Sequence, residues 1–281
     1  MDKLERQVEP LDRERHRFDE GGGGPDVVRD VAVEAPVAIE VDGFGLAVMM
    51  ATPSDLEDFA TGFAVAEGLL NPHRRPRFVE VAHVPDGLIV RMGLGAEARA
   101  AVQGRVRARV SESACGLCGL ESLQALAAAL PRIAHPVRPG DAAVARALAE
   151  IGAFQPLARA TGAAHAAALC APDGRILLAR EDVGRHNAFD KMVGGAMRAD
   201  LALEGHFALV TSRLSFELVE KAARAGIGGV VAISAPTSMA LRRAEEAGLP
   251  VVVRARQDGM RRPQTGASLA NRPDLQALAA E

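Results

Sequence analysis

The sequence predicts an α/β protein in which a C-terminal β-α-β-α-β sheet follows an N-terminal α+β half rich in hairpins. Three observations carry that reading. Over the last third, short apolar runs alternate with helix-forming stretches. Earlier, residues 31–92 show period-two alternation punctuated by Asp-Gly pairs. The 281 residues, 48% hydrophobic and 25% charged, have the balance of a globular chain with one large or two modest cores.

The elements follow in order. Residues 1–25 alternate acids and bases and end in Gly21–Gly24, so a mobile tail is expected over 1–28. Val31, Val33, Ala35, Val37, Ile39 and Val41 share one parity, which predicts a half-buried strand broken near Pro36. Asp42-Gly43 then turns it into a second strand through Leu46 and Val48. Ser54-Asp-Leu-Glu57 has the form of a capping box, with Leu56, Phe59, Phe63 and Leu70 following at roughly helical spacing. Asp86-Gly87 joins two more strands, Val79–Val84 and Leu88–Met92. Val106, Ala108 and Val110 alternate with Arg105, Arg107 and Arg109, the pattern of a further strand. Together these make an α+β subdomain over 29–110.

A mobile C-x-x-C loop is expected over 111–120 and runs into the helix-forming ESLQALAAAL. It opens an α/β domain over 121–260, followed by a C-terminal tail, 261–281. In that domain a helix runs from Asp141 to near Phe154, and a hairpin turns at Asp173-Gly174 between HAAALC and RILLAR. Phe207–Thr211, Val230–Ser234 and Pro250–Val253 are expected as parallel strands, joined by helices Phe216–Ala225 and Ser238–Ala247.

Composition narrows the function. A formal net charge of -3 argues against a nucleic-acid-coating role, and with no Trp or Tyr a base-stacking platform would rest on nine Phe. The N-terminal segment has no apolar signal-peptide core, and no apolar run approaches the ~20 residues of a membrane span. Three cysteines are too few for a disulfide framework, so a reduced, cytoplasmic location is the expectation, with neither a nucleic acid nor a membrane as partner.

Two constellations carry chemistry. SESACGLCGL holds Cys115 and Cys118. Zinc would need four ligands, yet Cys170 sits in an apolar strand and no His pair stands at short spacing, so no metal site is expected. A thiol–disulfide couple fits in outline, because a helix start just after Cys118 would lower a thiol pKa. A sulfur relay fits as well: Gly116 and Gly119 give mobility, and a thiolate can hold sulfane sulfur as a persulfide. Composition alone leaves redox and relay open.

The second constellation is EDVGRHNAFDK, residues 181–191, which packs acid, base, imidazole and amide between a strand and a helix. Asp182, Arg185, His186 and Asn187 suit an anionic or polar heterocyclic ligand. His186 or Lys191 alone would read as a surface residue. The ends of two parallel strands, Thr211-Ser212-Arg213 and Ser234-Ala235-Pro236-Thr237-Ser238, are polar and lead into helix N-termini, which favour phosphate oxygens. Taken singly, Ser215 and Thr237 read as helix caps.

CGLCG, TGAAHAAAL, REDVGRHNAFDK and SAPTSMA together resemble the formate dehydrogenase accessory sulfurtransferase family, and ATPSDLEDFATGFAVAEGLL resembles its N-terminal half. The resemblance runs from about Val31 to Arg256. It implies a cytidine-deaminase-like C-terminal fold, a homodimer, and a relay that accepts sulfur from a cysteine desulfurase. The acceptor it implies is the molybdenum cofactor in its bis-molybdopterin guanine dinucleotide form, destined for formate dehydrogenase, with guanine nucleotides as mimics. It places the persulfide on Cys115, with Cys118 beside it, and the cofactor-binding stretch at Arg254, Ala255, Arg256, Gln257, Asp258 and Gly259. Ser212, Arg213, Thr237 and Ser238 join them at the strand ends. The alternatives are a chaperone that presents cofactor without covalent transfer, or a dithiol oxidoreductase.

Overall fold

A computed structural model of the chain describes residues 7–9, 30–112 and 128–263. The N-terminal strands are β1 (Val8–Glu9), β2 (Val31–Ala32), β3 (Ala35–Val41), β4 (Phe44–Ala51), β5 (Phe78–Val84) and β6 (Gly87–Gly93). The helices are α1 (Leu56–Ala66), α2 (Ala96–Glu112), α3 (Asp141–Glu150), α4 (Pro156–Thr161), α5 (Arg185–Arg198), α6 (Phe216–Arg224) and α7 (Ser238–Ala247). The later strands are β7 (His165–Cys170), β8 (Ile176–Asp182), β9 (Phe207–Val210), β10 (Gly229–Ala232), β11 (Val251–Arg256) and β12 (Gly259–Arg261).

The first main sheet has the order β4-β3-β6-β5. Asp42 and Gly43 have φ of 47° and 87°, the two positive values a tight hairpin turn needs. The Asp42 carboxylate also accepts from the backbone N–H of Gly95 at 2.9 Å, which ties this turn to the end of β6. Pro36 lies inside β3, opposite Met50, one residue before β3 begins its parallel pairing with β6, so its missing N–H costs no ladder bond. The break expected there falls instead at Val33-Glu34.

The second sheet has the order β12-β11-β10-β9-β7-β8. Strands β9, β10 and β11 are parallel, as the alternation of strands and helices predicts, and β7, β8 and β12 add antiparallel edges. Its strands are apolar on both faces because both are covered. Ala167, Leu169, Ala208, Val210, Val230 and Val253 join the large core beneath α5, α6 and α7. Ala166, Ala168, Cys170, Leu209, Val231 and Val252 face a smaller core under α3.

Helices α1 and α5 form the middle layers between the two sheets. They approach so closely that backbone meets backbone. A Cβ at Gly62 would lie 1.9 Å from the Asp190 carbonyl oxygen, and one at Gly194 would lie 1.9 Å from that of Asp58.

Several expectations change. Arg105–Val110 belongs to α2, not to a strand. The Ala, Glu and Gln residues that precede it favour a helix, and buried Ala98 and Val102 anchor its first half. The Ser54 capping box does not form: Asp55 is the N-cap, at φ 52°, and makes no side-chain cap bond. Acids of that turn are drawn instead to Arg180, which reaches Asp58 at 2.8 Å and Asp55 at 3.5 Å. Inside the expected mobile tail, Val8–Glu9 pairs with Val31–Ala32. At the other end, Arg262 donates to Asp141 at 2.7 Å, so the start of the expected C-terminal tail is fastened to the domain. The expected helix in ESLQALAAAL falls mostly outside the described residues.

The helix crossing makes two glycines respond in opposite ways. Gly62→Ala forces α1 off α5 and is expected to destabilise by at least about 1–3 kcal/mol. Gly104, in α2, has nothing within 4 Å of its would-be Cβ. Gly104→Ala is expected to stabilise by about 0.5–1 kcal/mol. Urea unfolding midpoints of both variants against the parent check the pair.

Candidate functional site

One end of the six-stranded sheet gathers the polar residues singled out from the sequence. Because β9, β10 and β11 are parallel while β7 and β8 are antiparallel, this end holds the starts of β7, α5, α6 and α7. Backbone hydrogen bonds zip its loops together. Leu214 N donates to Ala235 O at 3.2 Å, Thr237 N to Leu214 O at 3.0 Å, and Arg254 N to Ser234 O at 3.0 Å.

The EDVGRHNAFDK segment divides between interior and surface. Asp182 is fully buried. Its Oδ1 accepts from Gly184 N at 2.8 Å and Asn187 Nδ2 at 3.0 Å. Its Oδ2 accepts from Thr52 N at 3.0 Å and pairs with the buried Lys191 Nζ at 2.6 Å. Lys191 also donates to Thr52 O at 2.9 Å, and Asn187 to Met50 O at 2.8 Å. Asp182, Asn187 and Lys191 are thus committed to a clamp that joins β8 and α5 to the end of β4. Asp190 is buried too, bonded to Lys221 Nζ at 2.6 and 2.7 Å; burial pushes its carboxyl up to about 6, against the pull of Lys221.

Arg185 and His186, in the first turn of α5, stay half-exposed at the mouth. Burial first, then the charges of Arg185 and Lys221, push the His186 imidazole down to about 4, opposed by Glu217. Burial, then Arg185, lowers His165 as well. Arg185 Nε is buried here and makes no hydrogen bond, and the Ser215 hydroxyl faces the Glu217 carboxylate. These residues belong to the first turns of α5 and α6, where helix dipoles favour an anion and where buried polar groups ordinarily have partners. Ser212 Oγ donates to Arg213 O at 3.0 Å, and Thr237 caps α7 by accepting from Ala240 N at 3.2 Å. Arg213 and Ser238 are exposed.

Beside these loops lies a cavity of about 490 Å3. Arg254, Arg256 and Arg261 line it with Ser234, and Asp258 is its one acid. Arg254 sits at φ 51°, in a bulge between Val253 and Arg256. Such a left-handed residue is strained, and the strain projects this edge toward the loops. Gly259 also lines the cavity and Gln257 is exposed, whereas Ala255 is buried in the smaller core. Arg261 and Glu217 were not among the residues read from the sequence. Arg261 comes from the short return strand β12, which the Asp258-Gly259 pair could have signalled as a hairpin. Cys115 and Cys118 lie outside the described residues. Among the described residues no group of three or more His, Cys, Asp or Glu could hold a metal, and no helix is long and apolar enough to cross a membrane.

The chain is similar to known proteins over most of its length. A model of the FdhD/NarQ family matches residues 32–262. The sulfur carrier protein FdhD of Variovorax paradoxus (strain S110) is 44% identical over 230 residues, covering 82% of this chain and 83% of that protein. The sulfur carrier protein FdhD of Xanthomonas campestris pv. campestris (strain B100) is 44% identical over 243 residues, covering 86% and 85%. A solved structure from Desulfotalea psychrophila, described as a formate dehydrogenase accessory protein, is 25% identical, with a TM-score of 0.63 over 91% of this chain and 94% of that one.

Two outcomes follow from the site geometry. Lys191→Met leaves the buried Asp182 carboxylate without its cation and is expected to destabilise by roughly 3–5 kcal/mol, partly recovered by adding Asp182→Asn; denaturant unfolding of the single and double variants checks this. His186 titrates near 6.5 when unfolded but near 4 when folded, so the folded chain binds fewer protons between those values and loses stability as pH falls through them. Asp190, raised when folded, works in the opposite sense, so the test is a comparison. Acidification from pH 7 to pH 4 is expected to lower the melting temperature of the parent more than that of His186→Asn.

Proposed function

The chain belongs to the FdhD/NarQ family, and on that premise we propose that it is a sulfur carrier that serves formate dehydrogenase maturation, with Cys115 as the carrier. The Cys115 thiolate attacks the sulfane sulfur of a donor persulfide on a cysteine desulfurase. An S–S bond forms at Cys115, the donor S–S bond breaks, and the desulfurase leaves as a thiolate, with no net oxidation. The load then passes to the acceptor, for which we take the bis-molybdopterin guanine dinucleotide form of the molybdenum cofactor, as substrate. Cys118, three residues on in the sequence, is the thiol that would assist release.

The observation that carries this reading is the strand-end cavity with Arg254, Arg256 and Arg261 around it and the unpartnered Arg185 Nε alongside. Guanidinium forks suit diphosphate oxygens, and helix N-termini add to the same field. The donor set therefore fits a nucleotide-bearing acceptor, whose diphosphate these arginines would hold. Ser234 and Asp258 offer hydrogen-bonding groups to the rest of such a ligand. We extend to this chain the cytidine-deaminase-like kinship and the homodimer that family resemblance implies; the parallel β9-α6-β10-α7-β11 unit supports the first.

Incubation with a cysteine desulfurase and cysteine, followed by intact mass measurement under non-reducing conditions, tests the carrier. The parent chain is expected to gain about 32 Da per sulfur. Cys115→Ala is expected to gain none, and equal loading of that variant would sink the assignment.

A further inference from the structure

A second basic cavity lies at the C-terminal end of helix α6, away from the strand-end site. Helix α6 starts at the strand ends, beside Ser215, and finishes at Arg224, which lines this other cavity of about 490 Å3. Its wall carries Arg74, Arg75, Arg77 and Arg224 against a single acid, Glu97, while Leu70 and Leu94 contribute apolar floor. In a chain with 36 acidic and 33 basic residues, four guanidiniums around one carboxylate run against the overall balance.

Not all four are free. Arg75 is bound to Asp200 and to the Arg198 carbonyl, and Arg224 Nη1 donates to Ala66 O at 2.9 Å. The side chains of Arg74 and Arg77 make no ion pair or hydrogen bond among the described residues. Two glycines flank the guanidiniums. A Cβ at Gly95 would stand 3.4 Å from Arg77 Nη2, and one at Gly68 would stand 3.7 Å from Arg224 Nη1. The first turn of α2, which supplies Glu97 and Ala98, brings the positive end of a 17-residue helix to the same wall.

We propose that this cavity binds a phosphate-bearing ligand of the diphosphate class, at a site separate from the strand ends. Two unpartnered forks beside a third guanidinium offer more charge and more donors than one carboxylate can use, and a diphosphate supplies several acceptor oxygens in a compact volume. The apolar floor leaves space for an organic group attached to it.

Isothermal titration of the full chain with inorganic pyrophosphate at low salt tests the site. The strand-end arginines would also take pyrophosphate, so the measurement is made in an Arg254→Gln/Arg256→Gln background. Binding is expected to persist there, and adding Arg74→Gln/Arg77→Gln is expected to weaken it at least about 10-fold. Adding Arg175→Gln/Arg138→Gln instead, two exposed arginines outside both cavities, removes equal charge and is expected to weaken it by less than about 3-fold. Matching thermal unfolding curves show that all variants fold. Three results would each overturn the proposal: no binding at pyrophosphate on the order of 10 mM in that background, an unchanged affinity in the Arg74/Arg77 variant, or an equal loss in the charge-matched control.

Discussion

The Asp182 carboxylate holds together the part of the molecule on which the rest depends. Four donors converge on it, from Gly184, Asn187, Thr52 and Lys191, and they come from both halves of the chain. Thr52 ends the β4 hairpin and leads into α1, while Gly184 leads into α5. Once this carboxylate joins the two connections, α1 and α5 start from one point and their glycine faces can meet. A buried ion pair of this kind adds little net stability over an apolar filling, but it tolerates few alternative arrangements. Its contribution here is to fix where α5 begins, and so where Arg185 and His186 emerge.

Electrostatics then shapes the surface that this frame presents. The chain is slightly acidic overall, yet seven of its arginines line two cavities, four in one and three in the other. Buried acids are answered by cations beside them: Asp182 by the buried Lys191, Asp190 by Lys221, and Asp58 by Arg180 and the exposed Arg198. Few carboxylates are left to neutralise Arg254, Arg256 and Arg261 at the strand ends. The low protonation range of His186 follows first from burial of its ring and then from the cations Arg185 and Lys221. A neutral imidazole beside Arg185 leaves that region hospitable to an anion without repelling a neighbouring donor.

Local signals were the readable part of the sequence. Asp42-Gly43 and Asp173-Gly174 announced their hairpins because a turn with positive φ needs such residues, whatever surrounds it. The parallel strands β9, β10 and β11 were readable because a strand-helix-strand alternation has few packings. What could not be read was settled by residues distant in sequence. The helix after Ser54 starts at an Asp55 N-cap instead of a capping box, and the neighbouring Asp55 and Asp58 pair with Arg180, more than a hundred positions away. The motif at 181–191 looked like one polar cluster, and only the packing of β4 against α5 turned Asp182, Asn187 and Lys191 inward. In α2, the Arg-Val alternation mimicked a strand because three arginines and three apolar residues fit either period over so short a stretch.

Arg254 offers a final lesson in how little irregularity a strand needs to change its meaning. In an even pleat, residues three apart face opposite sides, yet Val252 and Ala255 both pack in the smaller core. The left-handed residue between them accounts for this, since it counts as an extra step on the ladder. Without it, Ala255 would turn over and Arg256 would take the side that buries apolar groups. One backbone angle therefore acts as a frame shift in three dimensions. It lets a core strand end in the cations Arg254 and Arg256, with the register to β12 shifted by one residue.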